Sequence, residues 1–156
     1  MSIGPFSTAV EMVRALRERS VSASELLELH LARIAQFDGV LNSVVVRDFA
    51  RARHDAAAAD ELLSRGVERP LLGLPMTVKE SIDVEGLAST AGVEFRSQHR
   101  AARDALTVRR LRHAGAVLVG KTNICTWLAD YIGENPLFGR TNNPWDLSRT
   151  SGGTSD

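Results

Sequence analysis

A single cysteine, Cys125, stands in the 156 residues, so no disulfide forms within the chain and the redox compartment is left open. Charge of one sign is lacking too. Nineteen basic residues face nineteen acidic ones, and nothing in that balance favours nucleic acid or an anionic membrane as partner. No run approaches 18 apolar residues, which argues against a membrane span. The opening segment has neither a basic start nor an apolar stretch behind it, so no signal peptide is read and the cytoplasm is the expected location. No His, Cys or Asp spacing suggests a metal site, and no organic cofactor is implied. Repeats and low-complexity tracts are missing as well.

What is present fits a globular protein: 44% apolar and 24% charged residues. A chain of this length can bury roughly 70% of its unfolded surface. Arginine heavily outnumbers lysine, and most arginines fall in helix-like stretches with acids nearby, as solvated faces do.

Two helices are expected first. Val10, Val13 and Leu16 give the first an apolar face. Ser22 and Glu25 form a capping-box pattern that starts the second, with Leu26, Leu27, His30, Leu31, Ile34 and Phe37 at helical spacing and Gly39 as its end. His30 reads as a core or half-buried histidine. Residues 42–46 suggest a strand. Asp48 suits a cap for a third helix, whose small face (Ala52, Ala56, Ala59) fits close packing on a sheet. Residues 71–78 read as a buried strand, although Pro75 cannot donate to a ladder. Asp104 begins another helix, with Leu106, Val108 and Leu111 inward and Gly115 as its stop, before a buried strand over 116–119. Helix–strand alternation of this kind implies an α/β layered domain. The loop-rich stretches over 81–103 and after Gly133 suggest that the domain is incomplete.

Two segments suggest chemistry. Lys79 ends an apolar strand, where α/β sheets place functional groups, and in a dry site a lysine can lose its proton and serve as a base. A lysine just past a strand is more often a solvated end residue. Gly152-Gly153-Thr154-Ser155 offers hydroxyls beside glycines that let backbone approach closely; taken alone, it also reads as a flexible polar end.

The ordered set from Leu72 to Thr154 resembles the amidase signature family. It includes Leu71-Leu-Gly-Leu-Pro-Met-Thr-Val-Lys79-Glu80, Gly120-Lys121-Thr122-Asn123 and Asn135-Pro-Leu-Phe-Gly-Arg-Thr-Asn-Asn-Pro-Trp-Asp146. The N-terminal helices match only in type. The resemblance implies an amidase-signature fold, a mixed sheet flanked by helices and incomplete in this chain. It implies one domain over 1–156, with a helical N-terminal region at 1–66 and the start of the catalytic core at 67–156. The implied activity is hydrolysis of carboxamide C–N bonds by a Ser-Ser-Lys triad. Lys79 matches the catalytic lysine and Thr154 the middle serine, 75 residues on. The nucleophilic serine would lie beyond Asp156, with Ser155 as a substitute candidate. Leu128, Asp130, Gly152 and Gly153 are the substrate-binding candidates, although residues 127–130 suit an ordinary amphipathic helix as well. Three positions depart from the family pattern: Thr154 for serine, Ser151 for proline and Asp156 for glycine. Their clustering hints at truncation or frame damage. The expected partner is a small amide, and a homodimer of the full-length enzyme is compatible with the reading. This chain alone is expected to be inactive.

Three alternatives stand beside this one. A non-catalytic or partner-dependent amidase-like protein is the main rival. Gly115-Ala-Val-Leu-Val-Gly120-Lys121-Thr122 spells a P-loop, but the preceding residues read as helix and the four between the glycines as strand, the inverse of a phosphate cradle. Cys125 with His99 or His113 as base is a third; a buried thiol is its commoner fate.

Overall fold

The computed structural model describes residues 3–153. Helix α1 (Ala9–Arg17) starts at Thr8 and α2 (Ala23–Leu41) at Ser22, each through a reciprocal capping box with the glutamate three residues on. Strand β1 (Val44–Arg47) and helix α3 (Phe49–Ser64) follow. Next come β2 (Pro75–Lys79), α4 (Leu106–His113) and β3 (Val117–Thr122). The three strands form one mixed sheet in the order β1-β3-β2, with β1 antiparallel and β2 parallel to the central β3. Beyond it lie two small hairpins, β4 (Glu134–Asn135) with β5 (Gly139–Arg140), and β6 (Asn142–Asn143) with β7 (Asp146–Thr150).

Apolar periodicity puts helices on both faces of the sheet. Leu16, Leu26, Leu27, Ala52 and Ala56 pack with Val117 and Val119, while Val108 of α4 meets Val78, Val84 and Leu118. Alanines along α3 let its backbone come close to its neighbours. The first core is continuous across residue 66, so the helical N-terminal stretch and the start of the sheet share one interior.

Polar side chains lock the helices together. Asp60 on α3 accepts from the backbone N–H groups of Ala23 and Ser24 at 2.6 and 3.1 Å, where the α2 N-terminus leaves donors unpaired. In return, Arg19 donates to the carbonyls of Leu63 and Ser64 at the end of α3, the helix pole that favours a cation.

Several expectations need correction. Helix α2 runs through Gly39 and stops at Asn42, whose φ of 57° ends it. Asp48 precedes α3 without a side-chain capping bond. The strand expected over 71–78 begins only at Pro75, its first residue, where a missing N–H does least harm. Leu72 and Leu74 are buried from a turn instead. Val10 is 79% and Leu106 54% exposed, so neither points inward. Asp104 does not cap α4, which starts from Ala105; its carboxylate takes the Glu85 N–H and the Arg112 guanidinium. His30 is half-buried as read, and burial, with the Arg33 charge, holds its imidazole below the usual histidine range. No helix among the described residues is long and apolar enough to cross a membrane.

Candidate active site

Lys79 closes β2, half-buried, with its backbone beside Thr122 of β3. Parallel strands carry their side chains to a common C-terminal edge, and loops leaving that edge form the crevice in α/β proteins. The next residue, Glu80, is fully buried. Its backbone N–H donates to the Thr122 carbonyl at 3.0 Å, which extends the ladder by one bond. Its carboxylate accepts from the N–H of Thr90 at 2.5 Å and of Ala91 at 3.1 Å.

From that loop, a relay of contacts crosses the molecule. The Ala91 carbonyl accepts from the Trp127 N–H at 2.9 Å. Trp127 and Leu128 both adopt positive φ, 55° and 61°, a costly backbone for residues with side chains. That turn replaces the amphipathic helix entertained for 127–130. Asp130 then uses Oδ1 to accept from the Ile132 N–H at 3.0 Å, and its carbonyl accepts from Cys125 Sγ at 2.9 Å. Ile132 pairs with Gly153 in a parallel bridge, while the Thr150 hydroxyl donates to the Ile132 carbonyl. Between Lys79 and the glycine turn, far apart in sequence, hydrogen bonds alternate with stretches of backbone through Glu80, the 90–91 loop and the 127–132 turn.

The candidates divide accordingly. Leu128 is 39% exposed, and Gly152 and Gly153 are exposed. Asp130 is half-buried and spends one carboxylate oxygen on its own turn. Thr154 and Ser155, the proposed relay and substitute nucleophile, lie outside the described residues, as does Asp156. Cys125 is fully buried with its sulfur on a carbonyl, which suits a packed thiol better than a nucleophile.

The P-loop pattern dissolves in the fold. Residues 117–122 are the central strand, and Lys121 is fully buried within it. Each glycine is needed for space. A Cβ on Gly115, at φ 95°, would stand 2.7 Å from Leu72 Cα, and one on Gly120 would stand 2.3 Å from the Val46 carbonyl oxygen. No backbone N–H fan is available for a phosphate.

Two groups in this region stand in the quoted motifs with no role assigned from the sequence, Glu80 and Lys121. Burial holds the Lys121 amine down at about 8, with Glu80 and Asp83 pulling the other way. A signal that could have singled it out is scarcity: the chain has two lysines, Lys79 and Lys121, among nineteen basic residues.

The amidase family model matches residues 25–155, and the chain belongs to that family. It is 41% identical over 150 residues to AmiB2, an amidase homologue of Mycobacterium tuberculosis, covering 96% of this chain and 32% of that one. It is 40% identical over 148 residues to a glutamyl-tRNA(Gln) amidotransferase subunit of Halorhodospira halophila, with 95% and 31% covered. The solved peptide amidase of Stenotrophomonas maltophilia superposes with a TM-score of 0.88 at 29% identity, over 97% of this chain and 32% of that one. The chain spans about a third of the length of these relatives.

Proposed function

We propose that this chain supplies the lysine side of an amide-hydrolysing site that works by a Ser-Ser-Lys mechanism on small carboxamides in the cytoplasm. The Lys79 amine accepts a proton from the Thr154 hydroxyl, which accepts one from a nucleophilic serine placed by resemblance beyond Asp156. The serine oxygen attacks the amide carbonyl, and backbone N–H groups hold the oxyanion. The proton returns to the departing nitrogen, the C–N bond breaks, and water clears the acyl-enzyme. The observation that carries the reading is the seat of Lys79 at the C-terminal edge of β2, in a chain whose family match runs through Ser155.

Ammonia or amine release from a panel of small amides tests it. The 156-residue chain is expected to release none. A polypeptide extended by the reading frame after codon 156 is expected to do so, and to lose the activity in Lys79→Ala. Turnover by the 156-residue chain that vanished in Lys79→Ala would overturn this and point to Ser155 as nucleophile. An extended enzyme indifferent to Lys79→Ala would remove the lysine from the mechanism.

A second reading, a non-catalytic or partner-dependent piece, is favoured by one fact: the Halorhodospira relative, at 40% identity, is named as one subunit of an amidotransferase. The other assembly in view is a homodimer. Size-exclusion chromatography together with hydrogen exchange separates these readings from a self-sufficient module, which is expected to be monodisperse with protected amides over residues 71–78.

A further inference from the structure

The two lysines sit at the C-terminal ends of adjacent parallel strands, where Lys121 pairs with Val78 and Thr122 with Lys79. Everywhere else the chain uses arginine for its positive charge. Lys121 is fully buried, and its amine donates to the Ala88 carbonyl, with Ser89 Oγ at 3.4 Å. Glu80, equally buried, takes the Thr90 and Ala91 N–H groups. Its carbonyl also lies 3.4 Å from Ser89 Oγ. A carboxylate from β2's end therefore holds the second half of one four-residue stretch, and an amine from β3 holds the first.

Burying two ionisable groups costs more than an apolar pair of the same volume would. The gripped stretch is itself unrelaxed, since Ala91 holds a left-handed φ of 54°. A sheet needs neither feature to close. What they do fix is the peptide joining Lys79 to Glu80, because Glu80 is tied at its N–H, its carbonyl and its carboxylate.

We propose that Glu80 and Lys121 are positioning residues for Lys79: together they clamp residues 88–91 across the ends of β2 and β3 and so set the point from which the Lys79 side chain departs. The inference rests on the reading of Lys79 as the proton acceptor. Neither group touches substrate. Catalytic geometry tolerates little slack, and supporting hydrogen bonds remove it.

The chain labelled with 13C at lysine Cε alone gives two side-chain signals, assigned with Lys79→Met. Amide exchange at Thr90 and Ala91 is followed on the same samples. Glu80→Ala and Lys121→Met are each expected to speed that exchange about 10- to 100-fold and to move the Lys79 signal toward that of a free lysine side chain. Glu80→Gln, which keeps one acceptor oxygen, is expected to restore part of both. If Glu80→Ala does not fold, Glu80→Gln and Lys121→Met carry the same test. Unchanged exchange, or faster exchange with the Lys79 signal unmoved, overturns the clamp. None of these readouts involves turnover, so a failed clamp and a failed assignment of Lys79 as base are told apart by the amide assay.

Discussion

The side-chain amide of Asn135 donates to Asn123 Oδ1 and to the Ile124 carbonyl, each at 2.8 Å, while its oxygen accepts from the N–H groups of Leu137 and Phe138. Asn123 passes the network on by donating to the Gly139 carbonyl at 3.0 Å. Both asparagines are buried. Together they tie the end of β3 to the turn of the first hairpin, which leads into the chain's last described residues.

Truncation there strands several buried groups at once. Asn135→Ala is expected to cost about 3 kcal/mol, because the buried Asn123 oxygen and Ile124 carbonyl lose their donor and the half-buried N–H groups of Leu137 and Phe138 lose their acceptor. Asn135→Asp is expected to be at least as damaging, since a second acceptor would face the Asn123 oxygen and the Ile124 carbonyl. Urea unfolding of the two variants checks both expectations. A loss below about 1 kcal/mol, the range of an ordinary surface change, would show that the network does not hold the hairpin.

Asp38 gives stability a sign with pH. Its carboxylate is buried near the end of α2 and accepts from the Ser43 hydroxyl and N–H, the Val44 N–H and the Arg47 guanidinium. Burial alone would raise its pKa, but the Ser43 bonds, Arg47 and Val44 together hold it below the usual aspartate range. A group depressed on folding stabilises the protein above its unfolded pKa, about 3.9. That contribution is lost as pH falls through the lower, folded value. Thermal melts from pH 6 downward are therefore expected to show stability falling below about pH 4, with a shallower fall in Asp38→Asn. The variant itself is expected to lose about 2 to 4 kcal/mol at neutral pH through weakened bonds to Ser43 and Arg47. Equal acid slopes in the two proteins would refute the assignment.

Local chemistry was the legible part of this fold. Ser22 and Glu25 announce α2 because a capping box needs only four residues, and Ala52, Ala56 and Ala59 mark the packed face of α3 for the same reason. Where the partner is distant, local pattern misleads. Val10 and Leu106 satisfy helical periodicity yet stand exposed, because periodicity defines a face without saying what covers it. Asp104 had the right type for a cap but serves Glu85 and Arg112. The edge position of Lys79 followed from one strand. Glu80 and Lys121 did not, because their meeting at residues 88–91 depends on the parallel pairing of β2 with β3. Lys121 was further hidden by a nucleotide-binding spelling that its burial voids.

Lys121 supplies a test at the alkaline end. Its folded pKa of about 8 lies below the ordinary lysine value because burial removes water from the amine, against the pull of Glu80 and Asp83. Below pH 8 the amine is charged in both folded and unfolded chains, and its burial opposes folding. Between the folded value and about 10.4 the unfolded chain alone keeps the proton, so stability rises with pH. The span corresponds to a gain of about 3 kcal/mol, complete once both states are neutral. Replacing the amine by an apolar chain of similar length removes the titration. The stability difference between Lys121→Met and the parent, measured by urea unfolding at each pH, is therefore expected to shift by up to about 3 kcal/mol in the parent's favour from pH 7 to pH 10.5. Comparing the two proteins at matched pH cancels every other group that titrates in the window. Two curves that stay parallel would mean that the amine keeps its proton inside the fold, and that the attraction of Glu80 and Asp83 outweighs desolvation.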